Sequence, residues 1–136
     1  MRFIAEAAST AVDLKGDRFA PEALYQMAEA VQGKEIPILD GFNQHVKVGF
    51  VDSAKVLDNK LIIEGELLVG LLEKAEGFVV PGYQVMRGGL VDEVWVETDV
   101  RLNCFGLTSL PCDPTLKPLQ EMEFKKCAMG VGRSGG

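Results

Sequence analysis

With 136 residues, 47% hydrophobic and 25% charged, the chain has the size and composition of one globular domain that can bury a core. Its net charge of −6 excludes a phosphate-binding surface of clustered Lys and Arg, since only Lys125 and Lys126 are adjacent. No apolar run approaches the ~20 residues of a membrane span. The opening, MRFIAEAAST, carries one basic residue and no apolar centre, so no secretory signal is expected. Cys104, Cys112 and Cys127 are odd in number and lack CxxC spacing, which favours reduced thiols over zinc; zinc would also need His45 as a distant fourth ligand. Neither metal nor cofactor is expected.

In chain order, Arg2–Thr10 alternates weakly and predicts a first strand, with Phe3, Ala5 and Ala7 on one face. Asp13–Asp17 is a polar turn with one glycine, and Arg18-Phe19-Ala20 leads into a helix. Pro21 suits the first helical position and Glu22 complements the helix dipole. Leu24, Met27, Ala28 and Val31 form one apolar stripe, and Gly33 closes the helix. The stripe predicts burial against a sheet that contains Ile63 and Val96.

Ile36–Val69 is the centre of the pattern. It holds a short apolar run, the chain's one histidine (His45), and two alternating stretches joined at Leu57-Asp58-Asn59-Lys60. Val46, Val48, Phe50 and Val51 before the turn, and Leu61, Ile63 and Leu67 after it, predict a hairpin with one buried face. Asp58 and Asn59 both tolerate the positive φ that a tight hairpin requires. Leu71–Ala75 predicts a single turn. Phe78–Gly82 predicts a strand ending at Pro81, and Arg87-Gly88-Gly89 a loop. Glu93–Leu102 alternates, with Val94, Val96, Val100 and Leu102 on one face and Trp95, Glu97, Asp99 and Arg101 on the other. Phe105–Leu110 is a last apolar segment, and Gly130–Gly136 has the composition of a flexible tail. The whole predicts an α+β fold, mainly an antiparallel β-sheet or barrel with one main helix.

Several stretches in this order resemble the prohead maturation proteases of tailed phages, relatives of the herpesvirus assemblins. Thr10–Leu24 is similar to the family's opening, where a strand gives way to a glycine turn and a helix beginning near proline. Ile36–Gly49 resembles its apolar strand, His-bearing loop and glycine, and Leu61–Leu67 its second hairpin arm. Val80–Gly88 is similar to the nucleophile stretch of one branch, and Phe105–Pro114 to the strand before a proline-bounded turn. The match covers about residues 3–115; order and spacing carry it, not any single motif. It implies an assemblin-like domain over 1–118, with 119–136 as a C-terminal extension and Gly-rich tail.

Departures from the family's pattern decide what the resemblance implies about activity. Its members use a serine nucleophile with a histidine base, often assisted by a second histidine or an acid. Where the serine belongs, between Pro81-Gly82 and Arg87-Gly88, this chain has Tyr83, Gln84, Val85 and Met86, none a nucleophile for acyl transfer at neutral pH. In the other branch's register Gly106 stands near the serine position, with Thr108 and Ser109 close by. His45 also lies nearer Gly49 than is usual. If the chain is a protease, His45 and Ser109 form the catalytic pair, with Asp40 or Asp52 orienting the imidazole. The preferred expectation is no catalytic residue at all.

Glu64 and Glu66 share a strand face and suit either acid–base chemistry or a solvated surface. Trp95 and Tyr83 are either partner-binding anchors or core packing beneath the helix. Lys125–Gly136 offers little apolar surface to its own domain, so it is expected to dock on another subunit, with Arg133 meeting a partner carboxylate. The combined expectation is a non-enzymatic structural protein of a tailed-phage particle, most simply a capsid decoration or stabilising protein. It would be made in the host cytoplasm, reside in the virion, and bind the major capsid protein or other virion subunits and further copies of itself, but neither nucleic acid nor membrane. An active prohead maturation protease and a scaffold-core protein are the alternatives.

Overall fold

A computed structural model describes residues 1–68 and 77–122. Its elements are β1 (Arg2–Ser9), β2 (Asp17–Phe19), α1 (Pro21–Val31), β3 (Ile36–Asp40), β4 (Asn43–Leu57), β5 (Lys60–Leu67), β6 (Phe78–Val91), β7 (Val94–Thr108) and β8 (Gln120–Glu121). The class is α+β, mostly sheet with one helix among the described residues. That helix is too short and polar to cross a membrane.

Three hairpins are closed by two-residue turns in which both residues have positive φ. They are Gly41-Phe42 between β3 and β4, Asp58-Asn59 between β4 and β5, and Asp92-Glu93 between β6 and β7. This turn geometry follows the right-handed twist of the strands it joins. Asp58-Asn59 carries the expected signature. Phe42 and Glu93 do not, since residues of these types rarely adopt positive φ. The Phe42 ring lies against Gly82 and Gly106: a Cβ added at Gly106 would come 2.6 Å from its Cζ.

The sheet runs β2-β7-β3-β4-β5-β1-β8, with β6 also paired to β7. β6 covers one edge of β7 from Thr108 to Val94. The other edge is shared by two short parallel partners, β2 at Trp95–Glu97 and β3 at Phe105–Leu107. A gap in the ladder lies between them, and α1, which connects β2 to β3, spans it. Gln26 on the helix fills the gap: its Oε1 accepts the Val100 backbone N–H at 2.8 Å, and its Nε2 donates to Asp99 Oδ1 at 2.7 Å. The far ends of the sheet approach each other. β1 packs beside β6, and the Leu119 N–H donates to the Gly77 carbonyl at 2.9 Å, so the sheet curls into a nearly closed barrel.

The helix packs as its sequence stripe requires. Leu24, Met27 and Val31 are fully buried, and α1 lies on β7, β4 and β5 with Ile63 also buried. In the central hairpin Val48, Val51, Leu61, Ile63 and Leu67 face the core, but Val46 is exposed.

Several expectations need correcting. β6 continues through Pro81 to Val91. Proline is tolerated because β6 has no second pairing partner among the described residues, so a nitrogen facing that edge loses no ladder bond. Arg87-Gly88-Gly89 is not a loop but lies inside β6, where two register shifts bend the strand. Arg87 pairs there with Asp99, and Gly88 leaves room for the Trp95 ring, which a Cβ would meet at 2.9 Å. Val94–Leu102 and Phe105–Thr108 belong to one strand, β7, with Glu93 in the turn before it and Ser109-Leu110 beyond its end. Arg18-Phe19 is part of β2 rather than a plain lead-in. Leu119 joins the core and β8 pairs with β1, so packing continues past residue 118. Leu71–Ala75 and the tail, with Arg133, fall outside the described residues.

Only a side chain that accepts at one end and donates at the other satisfies both partners of Gln26. Replacing it by Ala leaves the Val100 N–H unpaired at a buried position, and the expected loss is about 1–3 kcal/mol. Gln26→Glu keeps the acceptor but sets a carboxylate against Asp99, so it should also destabilise at neutral pH. Chemical denaturation of both variants checks this, and an unchanged midpoint in Gln26→Ala would contradict it.

Candidate functional site

A cavity of about 360 Å³ opens between the end of β1, the turn into β2, the first half of β6 and the loop after β7. Its floor is apolar: Ala7, Ala8, Val80 and Pro81. Phe19, Phe42 and Tyr83 form an aromatic side, and Asp13, Asp17, Glu97 and Asp113 bring carboxylates, against Lys15 and Arg18 as cations.

Each wall has a local cause. Asp13 Oδ1 accepts the backbone N–H groups of Lys15 (2.9 Å) and Asp17 (3.0 Å), and Gly16 supplies the positive φ of 83° that completes the turn. Ser9, buried at the end of β1, accepts the Ala11 N–H at 3.1 Å and donates to Asp113. Asp113 in turn accepts from the Thr115 N–H (2.9 Å) and hydroxyl (2.7 Å). The Leu14 N–H donates to the Cys112 carbonyl at 2.9 Å, so the loop after β7 is stapled to both β1 and the turn.

At the back of the cavity stands Glu97, only 6% exposed, with Tyr83 donating its hydroxyl to Oε1 at 2.8 Å. Phe19 meets Tyr83 edge-on, with ring centroids 5.0 Å apart. Burial pushes the Glu97 carboxyl above its ordinary range; the Tyr83 bond pulls it back, and the charges of Asp17 and Asp13 add to the rise. Tyr83 is pushed up as well, by burial and then by its bond to Glu97, and stays a neutral donor. No side-chain hydrogen bond among the described residues reaches the second Glu97 oxygen.

The cavity does not contain the expected pair, His45 and Ser109. Ser9 is tied to Asp113, and His45 does not line the cavity. His45 is exposed on β4, its backbone N–H donating to Asn43 Oδ1 at 3.0 Å, whereas Ser109 is exposed just beyond β7. β3 lies between those two strands. Asp52 is held by Arg2 at 2.7 and 3.0 Å, with Glu66 3.9 Å from the same guanidinium on the outer face. Asp40 is exposed at the end of β3. Of the expected anchors, Trp95 is 39% exposed near the β6–β7 turn, and Tyr83 points its hydroxyl into the cavity. Cys104 is half-buried, its thiol pushed up by burial, and Cys112 is exposed. No group of three potential metal ligands converges among the described residues.

Glu97 is the residue that sequence reasoning placed elsewhere, on a charged outer face beside Trp95. Its strand shows the same alternation either way, and only the fold reveals that residues of β1, β2 and β6 surround that side chain. Comparison with protein-family models, with curated proteins and with solved structures gives no match to the chain.

Because the Glu97 carboxyl is raised in the folded state, the fold binds its proton more tightly than the unfolded chain does. Stability therefore falls as pH rises from about its ordinary value of 4.5 through the folded value, then levels off. Gln at this position keeps an acceptor for Tyr83 and carries no charge. Glu97→Gln should raise the melting temperature at pH 7–8 and leave it nearly unchanged at pH 4. Equal shifts at both pH values would show that Glu97 is not held as described.

Proposed function

We propose that the chain is a non-enzymatic structural protein of a tailed-phage particle, a capsid decoration or stabilising subunit built on a barrel of prohead-protease type. The observation that carries this reading is the end of the β6–β7 hairpin. Leu90 is 72% exposed, Val91 57%, Met86 55% and Trp95 39%, a concentration of large apolar side chains at one turn. Leu90 and Trp95 are cross-strand partners, so they present one surface. Beside them, β6 has no pairing partner along its outer edge among the described residues. An open strand edge with apolar side chains is suited to adding a strand or hairpin from another subunit.

The resemblance in the order of sequence segments supports the particle context, and the Tyr83–Met86 stretch in place of a serine supports the absence of proteolysis. The partners of this reading are the major capsid protein or other virion subunits, together with copies of the chain itself. Its location is the mature capsid.

Quantitative mass spectrometry of purified mature particles should find the chain at high copy. Presence in immature particles and loss on maturation would favour a scaffold-core protein instead. A fluorophosphonate probe should leave the protein unlabelled; labelling of Ser109 that disappears in His45→Ala would establish the protease reading. Within the structural reading, Leu90→Lys and Trp95→Lys should weaken retention on particles while changing the isolated domain's melting temperature little. Retention equal to that of the native chain would show that the hairpin end is not the attachment surface.

A further inference from the structure

We infer that the Glu97–Tyr83 cavity is a binding site for an organic cation, an ammonium or guanidinium group on an aliphatic stem. The inference is independent of any role in a particle. It begins with a carboxyl group that is more than nine-tenths covered, lines the cavity, and has one oxygen that no side chain among the described residues reaches. Tyr83 satisfies one oxygen of Glu97, and no side chain among the described residues satisfies the other. Leaving part of a buried carboxylate without a partner is costly, and a cation that donates to it removes that cost.

The surroundings select the kind of cation. Asp17 lies close enough to raise the Glu97 proton affinity, and its carboxylate accepts no hydrogen bond among the described residues, so a second carboxylate is available in the lining. Asp113 and Asp13 are already occupied by Ser9, Thr115 and backbone N–H groups. Two available carboxylates do not make a metal cage, and the described residues hold no group of three metal ligands. Phe19 and Tyr83 offer aromatic surface beside the acid, which attracts a delocalised or alkylated cation. Ala7, Ala8, Val80 and Pro81 line the remainder, and such a floor suits a methylene stem. The volume of about 360 Å³ accommodates an arginine or lysine side chain. The chain's own Lys15 and Arg18 stand at the mouth, exposed and forming no ion pair among the described residues.

The test is a titration of the isotope-labelled full chain at pH 7, followed by NMR through Phe19, Tyr83 and Glu97. The probes are N-acetyl-arginine methylamide, N-acetyl-lysine methylamide, putrescine and the neutral N-acetyl-citrulline methylamide. Saturable shifts at these residues are expected with the cations and not with citrulline. Preference for the amino-acid amides over putrescine would identify a peptide-borne side chain as the source, and the reverse preference a free polyamine. Glu97→Gln, checked for its fold by the rest of its spectrum, should raise the dissociation constant about tenfold or more, as loss of one charge-assisted bond implies. Asp17→Asn, in the lining and outside the core, should weaken binding less. Absence of saturable shifts, equal binding of citrulline, or unaltered affinity in Glu97→Gln would each overturn the inference.

Discussion

The edge of β7 opposite β6 is the place where this fold had to solve a hydrogen-bonding problem. Two short parallel strands reach that edge, one at each end, and neither extends to the middle. A buried N–H left there would be as costly as a lost hydrogen bond. One amide side chain from the helix takes the place of a strand, accepting from Val100 and donating to Asp99. The same contact fixes α1 along and around its axis. The burial of Leu24, Met27 and Val31, and the crossing from β2 to β3, depend on it. The Asp99 carboxyl, held below its usual range by the Gln26 amide, is further tied to Arg87 on β6. One short chain of polar contacts thus links the helix to both long strands of the hairpin.

The cavity follows from the same arrangement. β2 sits against the first residues of β7, the Ala20 N–H bonds to the Glu97 carbonyl, and the Glu97 side chain is buried there among residues of β1, β2 and β6. A side chain that an isolated hairpin would leave in water becomes the most enclosed acid among the described residues. The fold thereby combines two surfaces with different chemistry: an acidic, aromatic-lined cavity near the start of β2, and an apolar end on the β6–β7 hairpin. The first is suited to a cation and the second to a flat apolar partner.

The helix and the central hairpin were legible because their signals are local. The spacing of Leu24, Met27, Ala28 and Val31 specifies a face, and Asp58-Asn59 specifies a turn. Reading failed where the cause lies at a distance. Nothing near Phe42 announces positive φ, since the glycines that receive its ring are Gly82 and Gly106. Arg87-Gly88-Gly89 has loop composition, yet it is strand because Trp95 needs the space above Gly88 and Asp99 pairs with Arg87. Pro81 suggests an end, but only the sheet order shows that β6 is an edge where proline is tolerated. The cavity was hardly legible at all. Its carboxylates come from three separate segments, and the sequence around Tyr83 suggests a partner anchor or packing beneath the helix, not the donor to Glu97.

The three two-residue turns also bear on how the chain reaches this state. Each closes the smallest loop a hairpin allows, so β3–β4, β4–β5 and β6–β7 can zip locally, on the order of 1–10 μs for hairpins of this type. The parallel seam is different, for it joins Ile38 to Phe105 across most of the described chain. Its contacts repay the loss of chain entropy only after both hairpin systems exist. The seam that carries Gln26 is therefore the late step in assembly. In the folded protein it is also where amide protons should exchange by partial opening, with the hairpins on either side still intact.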